Sequence, residues 1–235
     1  MAIIIPDYTP QTIGDVIFPS DDSEDLITGI VDGSIPFPYS GKNGIILHGI
    51  NGTGKTVLAN LIPDAMERVL TGYDAFVIFE HIQIGNNGLH IIEKLSSRAS
   101  LMPFSTYNYF VLDEVDNLNE NAMKSLKTVM NMPRTVFIMT TNNITKIEAG
   151  IQNRSHRVEM NAAPAEKWLK LFKQVMQDQN VSPPDDAVLL PVIAKCNGSA
   201  RNIVSAAMRL ARKIKQTQNN NFAPVVFKST GTSGK

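Results

Sequence analysis

Eight residues set the chemistry: Gly49-Ile50-Asn51-Gly52-Thr53-Gly54-Lys55-Thr56 fits the phosphate-loop pattern G-x-x-x-x-G-K-[ST]. Glycines at this spacing let the backbone curl, so that its N–H groups converge on phosphate oxygens. Lys55 offers a point charge to the outer phosphates, and the Thr56 hydroxyl offers a ligand to Mg²⁺. A helix starting near Lys55 adds the positive end of its dipole. Asn51, Gly52, Thr53, Gly54, Lys55, Thr56 and Val57 are therefore the candidate nucleotide-binding residues of this stretch. Downstream, the apolar run Tyr109-Phe110-Val111-Leu112 ends in Asp113-Glu114-Val115-Asp116. An acidic pair at that point suits Asp113 to hold the metal alongside Thr56, and Glu114 to orient or deprotonate an attacking water.

Three further positions carry weaker signals. Asn142 ends the run Thr135 to Thr140. Its amide can bond an attacking water or a γ-phosphate, although Asn is also common at turns. Arg154 and Arg157 lie in Ile151-Gln152-Asn153-Arg154-Ser155-His156-Arg157. They fit an exposed basic turn, contact with the chain's own site, or reach into a neighbour's site as an arginine finger. Arg201, in Gly198-Ser199-Ala200-Arg201-Asn202, falls in the first turn of a helix. A cation there opposes the dipole, which suggests phosphate contact, with an ordinary surface arginine as the alternative.

The elements that must hold these residues follow from periodicity. Residues 1–19 carry Pro6, Pro10 and Pro19 and read as extended; a helix then runs from Asp21 to Gly33. Short apolar runs at 45–47, 75–79, 109–112 and 135–140 read as strands. Helical stretches from the phosphate loop to Leu70, from Leu89 to Ala99 and from Asn119 to Asn131 alternate with them, and Pro63 is expected to kink the first. This alternation implies parallel βαβ units in a three-layer α/β core. In such sheets ligands bind beyond the carboxyl ends of the strands, where Gly49, Asp113 and Asn142 all fall. Past Ala162 the texture becomes helical, with segments opening at Pro164, Pro183 and Ser199. The division is residues 1–160 for the nucleotide-binding core, 161–216 for a small all-helical lid and 217–235 for a loose tail, in which Val225-Val226-Phe227 is apolar enough to dock.

Hydrophobic residues make up 43% and charged ones 19%, which places the chain among globular proteins. Cys196 is the single cysteine, so no internal disulfide forms, which fits a reducing compartment. The four histidines are scattered, with no metal-ligand spacing. No apolar run approaches the ~20 residues of a membrane span. The start lacks a basic segment, so no secretory signal is expected. Net charge is zero but uneven: residues 1–41 hold acids and no Lys or Arg, and after Asp186 the reverse is true. Such asymmetry fits nucleic acid, an oppositely charged neighbour, or a solvated surface.

Together these motifs resemble the AAA+ ATPases, and among them the small subunits of sliding-clamp loaders (replication factor C). Asp7-Tyr8-Thr9-Pro10-Gln11-Thr12-Ile13-Gly14-Asp15-Val16 is similar to that family's opening segment, which lines the adenine pocket. The resemblance thereby implies Tyr8 and Val16 as nucleotide-binding residues. Asp113 to Asp116 resembles the D-E-x-D box, and Gly198 to Arg201 the sensor-2 motif. Ile151 to Ser155 resembles the motif whose arginine acts in trans, which points to Arg154 over the twelve-residue gap from Asn142. The implied catalytic set is Glu114, Asn142, Arg154 from a neighbouring subunit, and Arg201, with Thr56 and Asp113 for the metal. The implied cofactors are ATP and Mg²⁺.

The resemblance implies an ATPase of DNA metabolism. It would form a homo-oligomer (ring, spiral or filament) or assemble with related AAA+ subunits on DNA, in the cytoplasm or nucleoid, alongside a sliding clamp, helicase or recombinase. The alternatives are a DNA-bound matchmaker of the helicase-loader or transposition-regulator type, and a protein-remodelling chaperone. Against the chaperone, residues 81–88 contain no aromatic side chain. Departures are the Asn153 and Ser155 neighbours of Arg154, Asn87 in place of an arginine in the DNA-tracking segment, and an expected lack of the helical collar domain after the lid. Arg98 and the start of its helix are the remaining candidates for phosphate contact.

Overall fold

Three runs of apolar residues dominate burial. Strands β1 (Gly44–His48), β3 (Asn108–Asp113) and β4 (Thr135–Thr141) are almost wholly inaccessible. The computed structural model describes residues 7–221, so Val225–Phe227 and the rest of the tail beyond Asn221 lie outside the described residues. With β2 (Val77–His81) and β5 (Ser155–Glu159), these strands form one parallel sheet of order β2-β3-β4-β1-β5. Alternation along each strand sends side chains to two separate cores. Ile45, Leu47, Tyr109, Val111, Val136 and Ile138 pack against α1 (Asp21–Asp32) and α2 (Lys55–Thr71). Ile46, Phe110, Leu112, Phe137 and Met139 pack against α3 (Leu89–Ala99), α4 (Glu120–Met130) and the five-residue α5 (Ala149–Asn153).

The helices begin and end where capping chemistry allows. Ser20, one residue before the expected start, caps α1 by accepting from the Ser23 N–H, and Gly33 closes that helix at φ 81°. Asn119 caps α4 through the Ala122 N–H. Pro63 does not break α2, which runs unbroken to Thr71 and ends against Gly72. Strand β5 and helix α5 replace the loop expected around 151–157. The strand reads Ser-His-Arg-Val-Glu and buries only Ser155 and Val158, so it gives no apolar run.

A third core builds the lid. Trp168, Phe172 and Val175 on and before α6 (Leu169–Asp178) meet Leu189 and Ile193 of α7 (Asp186–Ala194) and Ile203 and Ala207 of α8 (Ala200–Asn221). Helix α8 continues through Asn221, past the expected lid boundary at 216. No helix among the described residues is long and apolar enough to cross a membrane.

Helix α2 is fixed to the sheet by a buried carboxylate. Glu67 is 3% exposed and accepts from the Thr106 N–H (2.9 Å), the Thr106 hydroxyl (2.9 Å) and the Tyr109 hydroxyl (3.0 Å). Burial and this carboxylate push the Tyr109 phenol far up. Glu67→Ala strands the buried Tyr109 hydroxyl and removes two part-buried Thr106 contacts. We expect it to lower unfolding free energy by about 2 kcal/mol in a denaturant titration, with Glu67→Gln losing less.

Candidate nucleotide site

Strand β1 runs directly into the phosphate loop at the carboxyl edge of the sheet. Gly49 sits at φ 151°, and a Cβ there would meet the Met160 carbonyl oxygen at 2.5 Å. Gly52 sits at φ 84°, with the Ser199 hydroxyl 2.8 Å from where its Cβ would be. The loop's glycines are thus dictated by the exit of β5 on one side and the start of α8 on the other. Lys55 is 7% exposed, and its ammonium donates to the carbonyls of Gly49 (2.9 Å) and Ile50 (2.6 Å). A third donor remains for a ligand. Burial lowers the Lys55 pKa, and the carboxylates of Asp113, Asp116 and Glu114 pull against that shift.

Asp113, at the end of β3, gathers side chains from three other elements. One carboxylate oxygen accepts from the Thr56 and Thr140 hydroxyls, each at 2.7 Å. The other lies 3.1 Å from Nδ1 of His81, at the end of β2. Thr140 also accepts from the Glu114 N–H at 2.9 Å and so fixes the next residue. Glu114 takes a left-handed backbone at φ 58°, and its carboxylate accepts from the Asn117 amide at 3.0 Å. Thr56 and Asp113 present hard oxygens side by side, which suits Mg²⁺. Among the described residues no group of three His, Cys, Asp or Glu could hold a metal ion.

These residues open onto one cleft of about 1170 Å³ between core and lid. Asn51 to Val57, Asp113, Glu114 and Asn142 line it from the sheet side, and Arg201 from the first turn of α8. Tyr8 and Val16 complete it from the opening segment. Tyr8 donates to Asp178 on α6 at 2.9 Å, and burial together with that carboxylate pushes its phenol up to about 12. The lid meets the loop directly, since the Ala200 N–H donates to the Gly52 carbonyl at 3.1 Å. Trp168 lines the cleft at 4% exposure, its indole N–H without an acceptor among the described residues.

Arg154 stands elsewhere. It caps the end of α5, and its carbonyl accepts from Asn43 and Gly44 at the start of β1, the opposite edge of the sheet. The five residues of β1 separate it from the loop by roughly 16 Å. Arg157 is exposed midway along the β5 edge, paired in register with Ile46. Arg98 lies in the last turn of α3, with its guanidinium 5.2 Å from the ring of Phe76 and 4.5 Å from that of Phe104. The two aromatic rings offer the guanidinium cation–π contacts. Sequence reasoning missed Thr140, His81 and Asn117; the one available signal was a hydroxyl interrupting the buried run of β4.

The pattern of the ATPase family associated with various cellular activities (AAA) matches residues 45–163, just over half of the chain. The chain belongs to the AAA ATPase family. Among relatives of this AAA chain, a replication factor C small subunit 2 of Pyrobaculum islandicum is 22% identical over 201 residues, covering 85% of this chain and 60% of the relative. A probable replication factor C subunit 2 of Dictyostelium discoideum is 25% identical over 205 residues, covering 84% and 57%. The chain thus spans about three fifths of the length of the curated relatives it matches. The Thermotoga maritima RuvB Holliday junction branch migration motor shares the fold at TM-score 0.62 and 14% identity, over 92% of this chain and 68% of that one. A DNA polymerase III gamma subunit-related protein of the same organism aligns at TM-score 0.53 and 15% identity, over 85% and 62%.

Thr140→Val keeps the volume of the AAA core but removes the hydroxyl that joins Asp113 to Glu114. We expect nucleotide affinity within about threefold of wild type, and a single-turnover hydrolysis rate at least about tenfold lower.

Proposed function

We propose that the protein is an ATP-hydrolysing AAA+ subunit of DNA metabolism that assembles on DNA with its nucleotide held between neighbouring chains. The observation that carries this reading is the split in the constellation: Lys55, Thr56, Asp113 and Glu114 share one cleft, while Arg154 lies at the far edge of the same sheet. An arginine so placed serves a neighbour's cleft rather than its own. Thr56 and Asp113 would hold Mg²⁺, which would supply positive charge against the phosphates. Lys55 and the loop N–H groups bind the phosphates. Glu114, steadied by Asn117, accepts a proton from water. Asn142 orients that water, and Arg201 carries the phosphate charge from the lid side.

The DNA part of the reading draws support from the replication factor C relatives. It also draws on the turn at Gln83–Asn86, which leads into the start of α3. A protein partner is favoured by the loop before β3, where Leu101, Met102 and Phe104 are 58%, 75% and 76% exposed. That loop is built rather than slack: Ser105 accepts from the Phe76 N–H at 2.6 Å, and Asn108 donates to the Leu101 carbonyl at 3.2 Å. A sliding clamp, a helicase or a recombinase is the class of partner such a surface fits.

Lys55→Ala is expected to abolish nucleotide binding in an equilibrium titration. Arg154→Ala should bind nucleotide normally and lose at least about a hundredfold in steady-state hydrolysis. Normal hydrolysis by the Arg154 variant at high protein concentration would show that the arginine does not act in trans. Single-stranded, double-stranded or primer-template DNA should raise the wild-type rate. Stimulation by unfolded polypeptide and by no DNA would instead favour a remodelling ATPase.

A further inference from the structure

We infer that Asn131 is a positioning residue that sets the Arg154 guanidinium before any neighbour arrives. This rests on the proposal that Arg154 acts in the adjoining subunit's cleft. Arg154 Nε donates to the Asn131 side-chain oxygen at 2.9 Å, and its Nη1 donates to the Gly150 carbonyl at 2.8 Å. Two contacts from different nitrogens fix the plane of a rigid fork. They consume two of its five donors and leave three for a ligand. The main chain is equally constrained, since the Arg154 carbonyl accepts from both Asn43 and Gly44 at 3.0 Å.

The acceptors are both neutral, and that decides the inference. Among the described residues no carboxylate pairs with Arg154, so its charge is not cancelled in advance. Arg154 caps α5 and Asn131 caps α4, so the negative ends of two helices sit beside the guanidinium. That environment steadies a cation without capturing it. Arg157, the other arginine of the segment, is exposed and has no such side-chain contacts among the described residues. An unrestrained arginine carries roughly 2 kcal/mol of rotamer entropy, so restraint before assembly favours insertion into a neighbouring site.

The test is a mixture of complementary variants. Arg154→Ala chains keep a working cleft and lack the arginine, whereas Lys55→Ala chains keep the arginine and lack nucleotide. Equal mixing should restore ATP hydrolysis, and failure to do so would remove the trans role itself. Adding Asn131→Leu to the Lys55→Ala donor should cut the restored rate roughly tenfold. The KM for ATP and co-assembly by size-exclusion chromatography should be unchanged. In a Lys55→Ala donor that also carries Arg154→Lys, Asn131→Leu should have no further effect, because a lysine has no Nε to hold. An unchanged restored rate, an equal loss in the Arg154→Lys background, or loss of co-assembly would each overturn the positioning role.

Discussion

A buried carboxylate needs partners, and Asp113 finds them in the ends of three neighbouring elements. Its oxygens meet Thr56 at the start of α2, Thr140 near the end of β4 and His81 at the end of β2. Unpaired, a group only 6% exposed would cost several kcal/mol. Strand register, the turn into α2 and the left-handed backbone of Glu114 all answer to that requirement. The lid answers to it at one remove, through the loop whose Gly52 carbonyl receives the Ala200 N–H.

Much of this was legible in the sequence. The loop Gly49 to Thr56, the apolar runs of β1, β3 and β4, and the acidic pair after β3 each carry a local signature, and each fell where expected. The three-layer core follows from the alternation of those runs with helical stretches, and the helical lid from the change of texture after Ala162. Strand β5 was not legible because an edge strand that buries only two side chains needs no apolar run. Helix α8 outran its expected end because its last turns carry no stop signal until after Asn221.

Side-chain partnerships were harder still, since they join residues distant in sequence. Nothing local marks Thr140 as the link between Asp113 and Glu114, or Asn117 as the donor to Glu114. The surroundings of Arg98 were equally hidden: Phe76 and Phe104, from segments on either side of α3, stand beside its guanidinium. A cation's neighbours are a property of the fold, whereas its presence is a property of the sequence.

The cleft wall holds the chain's single tryptophan. Trp168 belongs to the lid core yet borders the space shared with the phosphate loop. A ligand that fills the cleft changes its surroundings. The protein therefore carries a built-in optical gauge of its cleft, with no other indole to blur the signal.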